Sequence, residues 1–147
     1  MKASAAITLV FLSLAVFHCS EAKLDKAKKE AAIKKCQAET QATDEDVMKV
    51  RKEHIVPDSE EGKCFIACGF NSYDMLKDNR INLEGVNAFF EKLYDEQDKR
   101  DIAIKAAASC AATETVSGLN ECHYAAKYFA CMQRHPDFAK MKDDFDI

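Results

Sequence analysis

Glycine and proline are scarce in this chain, four and two among 147 residues. A fold of many short strands spends both at its corners, so the scarcity argues against one. No stretch alternates apolar and polar residues as a half-buried strand does. There is no phosphate-cradling loop, no dinucleotide fingerprint and no glycine-rich calcium loop with a His-Asp pair beside adjacent cysteines. The signatures of nucleotide chemistry and of calcium-dependent phospholipase action are therefore missing. No asparagine of the chain begins an N-x-S/T glycosylation site. Basic runs are also absent and the formal net charge is −4. That balance suits neither a nucleic-acid binder nor a strongly cationic membrane-disrupting helix.

What is present is cysteine, seven in all. Cys19 falls in an N-terminal leader: Lys2 gives a positive start, and Ala5 to Phe17 is largely apolar but shorter than the ~20 residues of a membrane span. Ser20 and Ala22 supply the small-x-small cleavage pattern. Residues 1–22 read as a signal peptide and residues 23–147 as one secreted, extracellular domain that permits disulfides. No later stretch is long and apolar enough for stable membrane insertion. The other six cysteines run C-x27-C-x3-C-x41-C-x11-C-x8-C from Cys36 to Cys131. An even count in a secreted chain implies three disulfides. A chain this long builds a core without them. The bridges therefore either harden the protein or compensate for an interior that is partly hollow.

The periodicity predicts an all-α fold of about six helices. Leu24 to Ala38 shows helical spacing through Leu24, Ala27, Ala31, Ala32 and Cys36. Thr43 caps a second helix, with Asp44, Glu45 and Asp46 at its positive end, running to about Glu53. Pro57 breaks the pattern, and Asp58 or Ser59 caps a third helix bearing Cys64 and Cys68. Lys77-Asp78-Asn79-Arg80 reads as a polar turn. The apolar stripe Leu83, Val86, Phe89, Phe90, Leu93 then marks a fourth helix. A fifth starts near Asp98, passes Ile102, Ala106 and Cys110, and ends at Ser117-Gly118; a sixth, capped by Asn120, runs to about Arg134 before Pro136.

Helix geometry restricts the bridges. Cys122 and Cys131 lie on opposite sides of one helix, about 13 Å apart along it, beyond the ~7 Å that a disulfide spans. Cys64 and Cys68 share a face, but an i, i+4 bridge inside a regular helix has poor geometry. Each of these four cysteines must reach another element, and several pairings remain open.

The leader, the helical pattern and the two fixed intervals, Cys64-x3-Cys68 and Cys122-x8-Cys131, resemble the insect odorant-binding protein family in its six-cysteine form. The likeness covers essentially all of the chain after the leader. It implies a compact disulfide-linked bundle around an apolar cavity, with the pairs Cys36–Cys68, Cys64–Cys122 and Cys110–Cys131. It also implies a carrier of small apolar ligands such as odorants, pheromones or fatty acids. Such a carrier has no catalytic residues, no cofactor and no metal. It is a monomer or weak homodimer, and a membrane receptor is a candidate recipient of its ligand.

Angular placement suggests which side chains would face such a cavity. On the sixth helix His123, Lys127 and Arg134 form a polar flank, and Ala125, Tyr128 and Met132 an apolar one with Phe129 at its margin. Ile66, Phe70 and Tyr73 lie away from Cys64 on the third helix, although Gly69 is placed to loosen or end it. Val86, Phe89, Phe90 and Leu93 form the inward stripe of the fourth; Ile81 precedes it, and Ala106 is the small candidate of the fifth. Each position reads equally as plain core. Tyr73 and Tyr128 are the candidate hydrogen-bond donors to a ligand. In the tail, Phe138 and Phe145 belong either to a lid over the cavity or to a frayed end.

A free thiol for Cys-His catalysis is not expected, and Cys-x3-Cys is better explained by disulfides than by a metal site. His54 and His135, with the tail carboxylates Asp143, Asp144 and Asp146, make pH-dependent release a hypothesis; solvated surface histidines are its alternative. The second functional reading is a saposin-like, membrane-active helical protein. Its cysteines would clamp two ends of an open hairpin, which the spacing here does not suit.

Overall fold

The computed structural model of the chain describes residues 24–144. The expected signal peptide, together with Phe145 and Asp146 of the tail, lies outside the described residues.

Among the described residues six α-helices carry the fold. Helix α1 (Lys26–Thr40) begins where the Asp25 carboxylate accepts from Ala27 N, and it ends at Gln41 in the left-handed conformation. Helix α2 (Asp44–Met48) has a reciprocal cap. The Thr43 hydroxyl accepts from Asp46 N, while the Asp46 carboxylate accepts from Thr43 N. It passes directly into a π-helical turn over Lys49–Glu53, so the predicted stretch to Glu53 is continuous but not uniformly α. Pro57 is fully buried, and Ser59 caps helix α3 (Glu60–Ser72). Gly69 neither ends nor visibly loosens α3, which continues one turn beyond it.

The all-α expectation holds, with one small addition. Leu76–Lys77 (β1) and Arg80–Ile81 (β2) form a two-residue antiparallel ladder. The Lys77-Arg80 turn is therefore a hairpin corner. Asp78 and Asn79 both adopt positive φ, 52° and 58°, the requirement of a two-residue hairpin loop. Ladder strands of two residues are too short to show alternation, which is why periodicity misses them. Helix α4 (Leu83–Leu93) and helix α5 (Gln97–Thr113) follow. Helix α5 ends before the predicted Ser117-Gly118, because Glu114 turns extended; Gly118, at φ 73°, shapes the loop beyond. Asn120 caps helix α6 (Glu121–Arg134) through His123 N. A 3-10 segment over Phe138–Asp144 closes the described chain.

Disulfides join Cys36 to Cys68, Cys64 to Cys122 and Cys110 to Cys131. They staple the helices in the spatial order α1–α3–α6–α5. Helix α4 carries no cysteine, and no disulfide ties it to the other helices. Its Gly85, Val86, Phe89 and Phe90 are buried, in a core shared with Phe65, Ile66 and Phe70 of α3 and Tyr128, Phe129 and Met132 of α6. Phe138 and Met141 of the tail are buried too, and the 3-10 segment packs on α5 and α6.

Candidate ligand-binding site

The side chains that α3, α4 and α6 turn inward leave two interior chambers. The first, of about 40 Å³, lies between α1, the π turn, α3 and α6. It is lined by Ala32, Ile33, Cys36, Val50, Arg51, Phe65, Ile66, Gly69, Phe70, Tyr73 and Phe129. The second, of about 20 Å³, is lined by Phe70, Met75, Val86, Phe89, Phe90, Tyr128, Phe129, Met132, Gln133 and Phe138. Phe70 and Phe129 line both and so form the partition between them.

These volumes decide what the observed conformation admits. A water needs about 10–15 Å³ of such space, and ligand pockets usually span roughly 300–1,000 Å³. The structure is thus a closed form whose interior is mostly filled by its own aromatic rings. The rings meet edge to face or tilted: Phe70 with Tyr128 at 5.8 Å between centroids, Phe90 with Phe138 at 6.0 Å, and Tyr73 with Phe89 at 4.9 Å.

Outside the chambers, an open groove of about 690 Å³ runs between the N-terminal part of α1 and α4, with Leu24, Lys28, Lys29, Glu84, Ala88 and Lys92 along it. It shares Ala32 and Tyr73 with the first chamber and Phe89 with the second. Groove and chambers therefore meet at the Tyr73–Phe89 ring pair.

The sequence-derived candidates divide into three groups. Ile66, Phe70, Tyr73, Val86, Phe89, Phe90, Tyr128, Phe129, Met132 and Phe138 line one chamber or both. Leu93, Ala106 and Ala125 line neither. Ala106 and Ala125 are completely buried, small residues on α5 and α6, and Leu93 is partly buried against the core. Ile81 lines a separate surface cleft with Tyr124, Ala111 and Val116. Sequence reasoning passed over Ala32, Ile33, Val50, Arg51, Phe65, Met75 and Gln133. The helical spacing of α1 already contained Ala32. Gln133, by contrast, is polar and lies on the Cys122 side of α6, a face the angular reading gave to bridging.

Few polar groups enter this interior. The Tyr128 hydroxyl donates to the Ala107 carbonyl at 3.4 Å, and burial pushes its phenol well above the ordinary range. Burial also raises the Tyr73 phenol, partly offset by the positive charge of Arg51. Arg51 itself is paired with Glu30 at 2.9 Å. The Gln133 amide has both Nε2 and Oε1 shut off from solvent, and neither has a hydrogen-bond partner in the protein.

The histidines are spread out. His123 Nε2 lies 2.6 Å from Glu60 Oε2 on the surface. A hydrogen bond from Lys63 and then one from His123 hold Glu60 below the usual carboxylate range. The neighbouring Cys64 and Cys122 are tied together in a disulfide, so no thiol there serves this pair. His54 ends the π turn at φ 56°, and His135 follows α6 with its Nδ1 buried. Among the described residues no cluster of histidine, cysteine or carboxylate groups fits a metal ion, and no helix is long and apolar enough to cross a membrane.

Comparison with known proteins agrees with this architecture. General odorant-binding protein 56a of Drosophila melanogaster is 28% identical over 131 residues, covering 87% of this chain and 88% of that protein. Among solved structures, the odorant-binding protein dmelOBP28a of D. melanogaster matches with a TM-score of 0.62 at 21% identity, over 82% of this chain and 95% of the other. A pheromone-binding protein from the cockroach Leucophaea maderae, in complex with the fluorescent reporter 1-anilinonaphthalene-8-sulfonic acid, matches with a TM-score of 0.64 at 17% identity, over 74% and 92%. The fatty acid binding protein OBP56a from the oral disk of the blowfly Phormia regina gives 0.56 at 25% identity, over 82% and 93%. The model of the PBP/GOBP family matches residues 20–135, most of the sequence, and the chain belongs to that family.

Proposed function

We propose that this protein is a secreted carrier that takes up small apolar molecules between α1, α3, α4 and α6 and keeps them in solution. Membership of the PBP/GOBP family supports binding of small hydrophobic ligands. The single observation that carries the reading is the pair of apolar chambers that share Phe70 and Phe129 and meet an open groove at Tyr73. A ligand of odorant size joins the chambers by displacing these two rings. Helix α4, which no disulfide restrains, is the wall that gives way. Ligand-lining roles go to Ile66, Phe70, Tyr73, Val86, Phe89, Phe90, Tyr128, Phe129, Met132 and Phe138. The chain acts as a monomer or weak homodimer, without catalysis, and passes its cargo to a membrane receptor.

The test uses 1-anilinonaphthalene-8-sulfonic acid. The reporter should brighten on binding and be displaced by nine- to twelve-carbon alcohols or acids. A reporter that stays dark, with no native mass-spectrometric adduct from any such compound, sinks the proposal. The saposin-like alternative predicts leakage of dye-loaded liposomes; the carrier reading expects intact ones.

Release on acidification is a second part of this reading. His135 stands at the junction between α6 and the tail, with its Nδ1 buried, and acidification is proposed to loosen that junction. Affinity is expected to fall between about pH 7 and pH 5, where histidines titrate. A flat affinity over that range removes this part and leaves the carrier intact.

A further inference from the structure

The open groove between α1 and α4 presents both polar and apolar surface, and its charges are segregated. Contacts at each end fix the direction of its walls. Leu24 N donates to the Lys92 carbonyl at 3.4 Å, so the start of α1 lies against the end of α4. At the other end Cys36 Sγ stands 3.6 Å from Ser72 Oγ, and the Asp74 carbonyl lies against Gly85. The later part of α1 thus meets the end of α3 and the start of α4. Lys28, Lys29 and Lys92 therefore gather at one end of the groove, and Asp74 and Glu84 at the other. Eight residues separate Glu84 from Lys92, about 12 Å along α4. Asp25 is the groove's carboxylate at the lysine end, and it is turned to its own helix, accepting from Ala27 N at 2.9 Å. Lys28 and Lys92 are exposed, and neither is tied in an ion pair with another described residue.

Both lysines stand one helical turn from the place where the groove meets the interior. Lys92 follows Phe89 by three residues, and Lys28 precedes Ala32 by four, spacings that put each pair on one helix face. Ala32 and Tyr73 also line the first chamber. Resting on the carrier reading above, we infer that the lysine end of this groove is a head-group site: Lys28 and Lys92 hold the anionic head of a single-chain amphiphile, a carboxylate or sulfonate, whose hydrocarbon chain passes between Tyr73 and Phe89 into the interior. An anion shut in an apolar chamber without a counter-charge is strongly disfavoured. In the open groove the head keeps part of its water and gains a cation from each wall. The groove's volume of about 690 Å³ is that of an ordinary ligand site, so the head enters without rearrangement, and only the chain has to displace rings.

The test uses the full chain, the neutral fluorophore N-phenyl-1-naphthylamine as reporter, and two competitors of equal chain length, dodecanoate and dodecan-1-ol, at about pH 8, where the carboxylate is ionised. In Lys28→Gln/Lys92→Gln dodecanoate should bind about tenfold more weakly, about threefold for each exposed charge pair, with dodecan-1-ol within about twofold of the wild type. Lys77→Gln/Lys105→Gln removes the same charge at exposed positions outside the groove and should leave both competitors within about twofold. On the wild type alone, raising sodium chloride from about 20 mM to about 500 mM should weaken dodecanoate severalfold and spare the alcohol, because salt screens exposed charges. This readout stands even if a variant does not fold. The assignment is overturned if the groove variant moves dodecanoate no more than the control variant does, if it weakens acid and alcohol alike, or if salt leaves dodecanoate binding unchanged. Loss of binding to phosphatidylglycerol vesicles, with dodecanoate unaffected, would overturn it too and assign these lysines to a lipid surface. Each of these outcomes leaves the carrier reading in place. If neither competitor displaces the reporter, the carrier reading falls, and the head-group site falls with it.

Discussion

Tyr73 and Phe89 hold their ring centroids 4.9 Å apart, tilted by 54°, at the place where the outer groove meets both chambers. Tyr73 comes from the end of stapled α3 and Phe89 from unstapled α4, so the pair joins a fixed wall to a free one. Tyr73→Ala removes the fixed half. The variant should exchange 1-anilinonaphthalene-8-sulfonic acid several-fold faster in both directions, with a smaller change in Kd, because a removed barrier acts on both rates. Stopped-flow fluorescence reads this directly. A large loss of affinity at an unchanged association rate would instead make Tyr73 a wall residue.

Much of this arrangement is legible from the amino-acid sequence, and the gaps have physical reasons. The caps at Thr43, Ser59 and Asn120 announce three helix starts, because short polar side chains satisfy free backbone N–H groups. The stripe of α4 reveals its buried face because that helix is amphipathic. Helix α1 is harder: it is rich in lysine and buries only Cys36 fully, so its contribution of Ala32 and Ile33 to the first chamber follows from where Cys36–Cys68 draws it. Angular reading cannot separate core from lining. Ala125 and Met132 share the apolar flank of α6, yet only Met132 reaches a chamber. Which alternative applies depends on how closely α5 approaches, and a helix's own periodicity does not contain that distance.

Asp46 links two helix starts. Its carboxylate accepts from Thr43 N, from the Thr43 hydroxyl and, at 2.7 Å, from the Ser59 hydroxyl that itself caps α3. The Ser59 bond first, and then those from Thr43, hold the buried carboxyl below its ordinary value of 3.8 against the opposing effect of burial. A carboxyl depressed in the folded state stabilises the fold fully above its unfolded value. That stability is lost as the pH falls from there through the folded value. Asp46→Ala should cost about 1–3 kcal/mol at pH 7. It should also flatten the acid limb of stability below about pH 4, as followed by urea denaturation. An acid limb identical to that of the wild type would remove Asp46 from the account.

Gly85 seats the first turn of α4 against the end of α3 and the hairpin. A Cβ there would lie 2.0 Å from the Asp74 carbonyl oxygen, which also accepts from Asn82 Nδ2 at 2.9 Å. Backbone on both sides leaves little room to yield, so Gly85→Ala should destabilise by about 1–3 kcal/mol. Gly69 is the internal contrast: it lies inside α3, and nothing stands within 4 Å of an added Cβ. Gly69→Ala should stabilise by about 0.5–1 kcal/mol through helix propensity. Opposite shifts in the urea midpoint are the expected pattern; shifts of the same sign would contradict it.

The three bridges differ in what they restrain. Cys64–Cys122 closes a sequence separation of 58, and Cys110–Cys131 one of 21. Loop-closure entropy assigns about 4 kcal/mol to the longer and about 3 kcal/mol to the shorter. Replacing both partners by serine should therefore lower the midpoint more for Cys64/Cys122 than for Cys110/Cys131. The longer bridge also clamps α3 to α6, the helices that supply Phe70 and Phe129, whereas the shorter one ties α6 to α5, which lines neither chamber. Reporter affinity should accordingly fall more in the Cys64/Cys122 pair at a temperature where both variants are fully folded by circular dichroism. Equal affinity losses would mean that the spacing of α3 and α6 is set by packing of the rings rather than by the bridge.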